Sequence, residues 1–257
     1  MSLKRALFII ILLSFVIPIL FLLYLSVSKQ WVYPSIVSHP FTLEWWQLLF
    51  DAESTLLQSL FLSLFLSGTV SALATIGGFF ASRAVAYHTK SKAWLLTAYF
   101  PYVITPVVFA IMINFYFLRI GLTGNVGGVL IAQLFITFPY AVLFFYGFWN
   151  ERIRNLEQLV TTLGGSFKTV LTDGILPSAR GMLTVCYFQC FLISWFEYGL
   201  TQLIGVGKVQ TLTVLVYRYV SEANPYLAAL AGFLLVLPPL ILLITNRKAL
   251  MQKIWAS

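Results

Sequence analysis

Residues 155–181 read NLEQLVTTLGGSFKTVLTDGILPSARG, the longest polar-leaning interruption in a chain that otherwise reads as membrane. Leu156, Leu159, Val160, Leu163 and Phe167 recur at helical spacing, so one face is apolar while Glu157, Gln158, Thr161 and Thr162 fall on the other. Gly164, Gly165 and Ser166 break the pattern, and a second short amphipathic piece ends at Leu176 and Pro177. Two short helices about a glycine hinge, displayed outside a bilayer, make a docking element. What docks there depends on the rest of the chain.

The 257 residues are 60% hydrophobic and 9% charged, against about 25% charged in soluble domains. A water-soluble core has no use for so much apolar surface, so an all-α integral membrane protein is expected. No room is left for a sizeable catalytic domain outside the bilayer. Cys186 and Cys190, four apart in an apolar run, read as small apolar side chains on one helix face. A metal site or disulfide framework needs more ligands or a better-placed partner.

Six apolar runs follow one another. The first, 6–27, comes after Lys4 and Arg5. A cleaved signal peptide competes there, because Ser26-Val27-Ser28 resembles a cleavage site, but an apolar core of about 20 residues suits a span better. Trp31, Tyr33, Trp45 and Trp46 then form an aromatic loop with Pro34, His39 and Pro40, as expected at a membrane–water interface. In the second run, 54–82, Ser59, Ser63, Ser67 and Ser71 recur every four residues, a stripe that favours close helix packing over a polar pore. A basic linker, 83–92, leads to the third run, 93–118, which carries Pro101, Pro106 and Asn114. A glycine-rich turn, 121–128, joins it to the fourth, 129–149, with Pro139 inside. After the opening stretch come the fifth run, 181–204, a mixed loop, 205–225, and the sixth run, 226–245.

Six spans put both termini on one side, and positive charge assigns that side. Lys4, Arg5, Arg83, Lys90, Lys92, Arg152, Arg154, Lys168, Arg180, Arg247, Lys248 and Lys253 fall on it; Lys29, Arg119, Lys208 and Arg218 fall on the other. Both termini and residues 150–180 are therefore expected in the cytoplasm. The net charge of +8 is a topology signal and calls for no nucleic acid. On periodicity alone, the 155–181 helix could lay its apolar stripe in a partner groove or lie on lipid, held by Arg152, Arg154 and Lys168.

The segment from Gln158 to Gly164, followed by Leu176 and Pro177, resembles the cytoplasmic loop motif of ABC importer permeases. That motif runs Glu-Ala-Ala, three residues, Gly, then about a dozen residues to Leu-Pro. Leu163-Gly164-Gly165-Ser166 is similar to the family's Leu-Gly-Ala-Ser. Gln158 replaces the motif glutamate, Leu159 and Val160 replace its alanines, and Gly174 takes an aliphatic position. WFEYG at 195–199 and TLTVLVY at 211–217 resemble the fifth-span end and following loop of the polyamine, ferric iron, sulfate, thiamine and phosphonate branch. The resemblance covers most of the chain from residue 54 onward.

It implies six transmembrane helices in the type I (MetI-like) importer-permease architecture. Residues 1–53 would be a first transmembrane helix and periplasmic loop, and 54–257 a five-helix core with the coupling loop at 150–180. The location implied is a bacterial inner membrane. The partners implied are a dimer of ATP-binding subunits, a second permease subunit, identical or related, and a periplasmic substrate-binding protein. The solute would be polyamine-like, iron, thiamine or phosphonate, and no cofactor would be bound by this chain, ATP and magnesium residing on the partner. Glu157, Gln158, Leu159, Val160, Leu163, Gly164, Gly165, Ser166, Phe167 and Pro177 would couple to the ATPase. Asn114, Trp195, Glu197 and Tyr198 would line the translocation path.

The chain is not expected to hydrolyse ATP itself. Gly164 to Thr169 superficially resembles a phosphate-binding loop, but Phe167 stands where glycine must precede the lysine. Asp173-Gly174 with Ala179-Arg180 faintly resembles the metal motif of CDP-alcohol phosphotransferases, at the wrong spacing and without the further aspartates. His39 and His88 fall on opposite sides. Glu197 is the one carboxylate inside an apolar run. It is either functional, leaning towards a cationic solute, or a brace near the outer interface with Arg218 or Lys208. An ATP-independent channel or secondary carrier is the alternative function.

Overall fold

The computed structural model describes residues 3–29, 40–51, 54–88 and 93–245. Trp31, Tyr33, Pro34, His39, Lys90, Lys92, Arg247, Lys248 and Lys253 lie outside them. Regular structure among the described residues is helical: α1 (Leu3–Ser26), α2 (Glu44–Gln47), α3 (Thr55–His88), α4 (Ala93–Val103), α5 (Pro106–Arg119), α6 (Val126–Tyr146), α7 (Glu151–Thr162), α8 (Phe167–Thr169), a π turn (Val170–Ile175), α9 (Leu176–Trp195), α10 (Gly199–Gly205), α11 (Leu212–Ser221) and α12 (Pro225–Thr245). Five stretches are long and apolar enough to cross a membrane: Ile9–Ser26, Thr55–Tyr87, Val126–Tyr146, Phe167–Trp195 and Pro225–Thr245. The α4–α5 pair is a sixth if it counts as one span. This is the composition of a multi-pass membrane protein.

Three runs differ from their sequence reading. The third is two helices bent by 103°, because Pro106 disfavours helical geometry at the residue before it. Thr105 is accordingly extended, with ψ 146°, and its side chain caps α5 by accepting from the Val108 N–H. The fifth begins earlier, at Phe167, and ends at Trp195, with residues 196–198 separating it from α10. Pro177, expected to stop a helix, instead sits in the first turn of α9. A proline ring clashes with the carbonyl four residues back, and the wider π turn just before it relieves that crowding. The second run continues to His88, so Arg83 belongs to a helix and not to a linker.

The chain forms two compact units, residues 1–63 with 210–241, and residues 64–209 with 242–257. In the first, the loop after α1 is pinned by two tryptophans. Trp45 Nε1 donates to the Ser28 carbonyl at 3.0 Å, Trp46 Nε1 donates to Ser26 Oγ at 3.2 Å, and Trp45 stacks on Tyr226 at 5.3 Å. Ser26 and Ser28, the residues of the cleavage-like site, are buried. The N–H of Leu212, opening α11, donates to Ser63 Oγ at 2.7 Å.

In the second unit the core is aromatic, with Phe79 of α3 packed against Phe145, Phe148 and Trp149 at the end of α6. The expected serine stripe is buried at Ser59, Ser63, Ser67 and Ser71. Cys186 and Cys190 are free, buried and 4.0 Å apart on one face of α9.

Candidate functional site

The helix at the centre of the opening stretch is α7. Asn150 caps its start, accepting from the Ile153 N–H. Its end is a Schellman motif: the Gly165 N–H donates to the Val160 carbonyl at 2.9 Å, and the Gly164 N–H donates to Thr161 at 3.0 Å. Gly164 adopts φ +82°, the left-handed region that closes such motifs and that a side chain resists. The glycine hinge of the sequence is thus a C-cap. Ser166 caps the helix that follows.

The apolar stripe of this stretch splits in two. Ile153 is buried, and Leu156 and Val160 turn towards the π turn, where a Cβ on Gly174 would stand 3.1 Å from Leu156 Cδ2. A larger side chain at 174 would crowd Leu156. Leu159, Leu163 and Phe167 remain 60%, 80% and 59% exposed. They form an apolar tip that the described residues leave largely exposed, while Gln158 is exposed beside it.

Glu157, expected on the solvent face, points inward. Arg83 Nη2 donates to its Oε2 at 2.8 Å and Arg83 Nε to its Oε1 at 3.2 Å, a two-pronged pair across elements distant in sequence. The guanidinium also lies 5.5 Å from the Tyr87 ring centre, 6.0 Å from Trp149 and 5.7 Å from Phe167. Trp149 is held by its Nε1 donating to Ser82 Oγ at 2.7 Å. One arginine near the end of α3 therefore fixes α7, the end of α6 and the start of α8 together. Arg83 is among the topology charges in the sequence; its partners outside α3 (Trp149, Glu157 and Phe167) are invisible there because they are 66 to 84 positions away.

The second cluster surrounds the break after α9. Glu197 accepts from the Leu200 N–H at 2.8 Å, the Thr201 N–H at 2.9 Å and Thr201 Oγ1 at 3.0 Å, so it caps α10. Thr201 Oγ1 accepts from Gln133 Nε2 at 3.0 Å, and Gln133 Oε1 accepts from Ser194 Oγ at 2.5 Å. Ser194 also meets Ser67 at 3.1 Å. This relay joins α3, α6, α9 and α10. Burial pushes the Glu197 carboxyl above its ordinary range, and the N–H donors of Leu200 and Thr201 oppose that shift.

Both oxygens of Glu197 are engaged in this cap. Arg218 pairs with Glu222 at 2.8 Å, and the aliphatic part of Lys208 lies against Gly124. The contacts of Glu197 are those of a hydrogen-bonded cap on α10. Trp195 is 1% exposed and stacked on Phe191 at 5.4 Å. Asn114 accepts from Thr123 Oγ1 at 3.4 Å, and Tyr198 is half-buried beside the break.

Gln133, Ser194 and Thr201 were not singled out by sequence reasoning. A lone glutamine inside the apolar fourth run is a readable signal, since a side-chain amide in lipid must find a partner. No family model matches the chain, and no curated protein matches it.

Proposed function

We propose that this chain is a transmembrane permease subunit of an ATP-driven importer, forming part of the translocation path for a small solute, with α7 as the element that engages a separate cytoplasmic ATPase. The observation that carries the reading is the exposed apolar tip, Leu159, Leu163 and Phe167, on a helix bolted through Glu157 to Arg83. An apolar tip on a loose loop would bind a partner without moving the membrane part. Here displacement of α7 pulls on α3, and the Phe79, Phe145 and Trp149 cluster passes the load to α6.

The same contacts support a six-span count. Arg83 near the end of α3 touches α7, which follows the end of α6, so the two ends lie on one side. With α6 crossing once, this favours a single crossing by the bent α4–α5 pair. In that reading both termini share a side, and the distribution of lysine and arginine favours the cytoplasm. The Thr55–Tyr87 stretch has 33 residues, about 50 Å at 1.5 Å per residue. The hydrocarbon layer takes about 30 Å of this, which leaves length for the charged Arg83 end to stand outside lipid, within reach of a soluble partner.

Leu163→Asp puts a charge on the most exposed apolar side chain of the tip and disturbs no contact inside the chain. It is expected to abolish retention of the ATPase subunit on purification and to abolish solute uptake, with helical circular dichroism unchanged. Normal uptake and an intact ATPase complex in both Leu163→Asp and Leu159→Asp overturn the assignment. An ATP-independent channel or carrier would show uptake in vesicles that hold no nucleotide.

A further inference from the structure

The observation that takes the reading further is charge at the contact itself. An open cleft of about 520 Å³ lies along α7, lined by Tyr87, Arg154, Glu157, Gln158, Thr161 and Thr162. We infer that this cleft receives an acidic side chain of the ATPase partner, so that the permease supplies the cation of the contact and the partner the anion; this rests on the permease reading above.

The polar groups of the cleft decide its sign. The Glu157 carboxylate is used on both oxygens by Arg83. Gln158 is neutral, and the hydroxyls of Thr161 and Thr162 donate to carbonyls of their own helix. Arg154 is exposed and makes no ion pair among the described residues; its guanidinium lies 5.9 Å from the centre of the Tyr87 ring. The Tyr87 hydroxyl is buried with no hydrogen-bond partner. The Arg154 guanidinium is thus the uncommitted charge of the cleft, and a carboxylate is the group that pairs with it. Exposed Leu159 stands on the same helix as Arg154, and an arginine beside apolar anchors is the make-up of a protein contact.

The experiment uses the full-length chain purified with its ATPase subunit. Arg154→Lys keeps the charge and provides an amine, which a water-soluble carbodiimide joins directly to a carboxylate. One covalent product is expected, linking position 154 to an Asp or Glu of the ATPase, with none from Arg154→Gln. Arg154→Glu is expected to lower the ATPase retained by about tenfold, and Arg154→Lys by less than about threefold. Thr161→Glu, at an exposed position that leaves the Tyr87 stack in place, is expected to match Arg154→Glu and so separates repulsion from misfolding. Equal retention by wild type, Arg154→Glu and Thr161→Glu, with no product at position 154, overturns the inference and leaves the permease reading standing. Absence of any ATPase from the wild-type preparation overturns both. Loss of the Arg154→Glu effect in nanodiscs of wholly zwitterionic lipid makes the anion a lipid headgroup and overturns the inference alone.

Discussion

Arg83 and Glu157 join α3 to α7 through a two-pronged ion pair. Their two hydrogen bonds are charge-assisted, and the pair is only partly open to solvent, with side chains 28% and 13% exposed. Glu157→Gln keeps the shape and removes the charge, and is expected to cost about 1.5–3 kcal/mol, read as a lowered Tm in detergent. Gly164→Ala forces a side chain into φ +82° and is expected to cost roughly 1–2 kcal/mol, fraying the end of α7 and weakening ATPase retention in step. Glu197 gives a pH signature. Its carboxyl titrates higher folded than unfolded, where 4.5 is the ordinary value, because burial outweighs its donors. The folded state therefore binds the proton more tightly. The contribution is fully present below about 4.5 and is lost as pH rises through the folded value. Thermal melts across this window are expected to show stability falling with pH in wild type and a flatter profile in Glu197→Gln.

Among the elements, α7 was the most legible and also the most altered on folding. Spacing alone located its apolar positions, its glycine C-cap and its polar neighbours, because each of these is a local property. Spacing could not say which apolar residues would be used internally. That depended on the π turn, which brings Gly174 against Leu156, and no helical periodicity encodes a π turn. Pro177 misled for the same reason: a proline rule applied to an α-helix fails where the preceding turn is wider. The relay from Ser67 through Ser194, Gln133 and Thr201 to Glu197 was legible only as isolated polar residues. Interhelical hydrogen bonds in membranes average about 0.6 kcal/mol each, so the relay fixes how four helices meet more than it stabilises them. Gln133→Leu, which removes its central member, is expected to leave the helix content intact and to broaden the thermal transition, checked by circular dichroism at a single wavelength.

For the whole molecule, composition pointed to the class, a multi-pass membrane protein, and the long apolar helices agree with it; the positive charges supplied an expected sidedness. The 103° bend in the third run was foreshadowed by Pro106, but its size and the early ending of the fifth run at Trp195 depend on packing with α6 and α10. Cys186 and Cys190 are free and buried, which keeps background labelling low in a topology test. A cysteine introduced at Thr162 is expected to resist an impermeant thiol reagent added outside intact cells, and one at Val206 is expected to react. Reversal of that pattern would invert the chain in the membrane and remove the ATPase from reach of α7.

The π turn sets the phase of everything attached below it. It spans Val170–Ile175, and each residue of an α-helix advances the chain by about 100°. Deleting Thr172 would let the segment relax into α-helical winding and keep a continuous span. It would also rotate Phe167 by roughly that angle about the axis, carrying its ring away from Arg83. The chain would keep its hydropathy and its charge, yet Phe167 would face another way. Chain length between Phe167 and Pro177 is thus what decides which side of the helix meets Arg83.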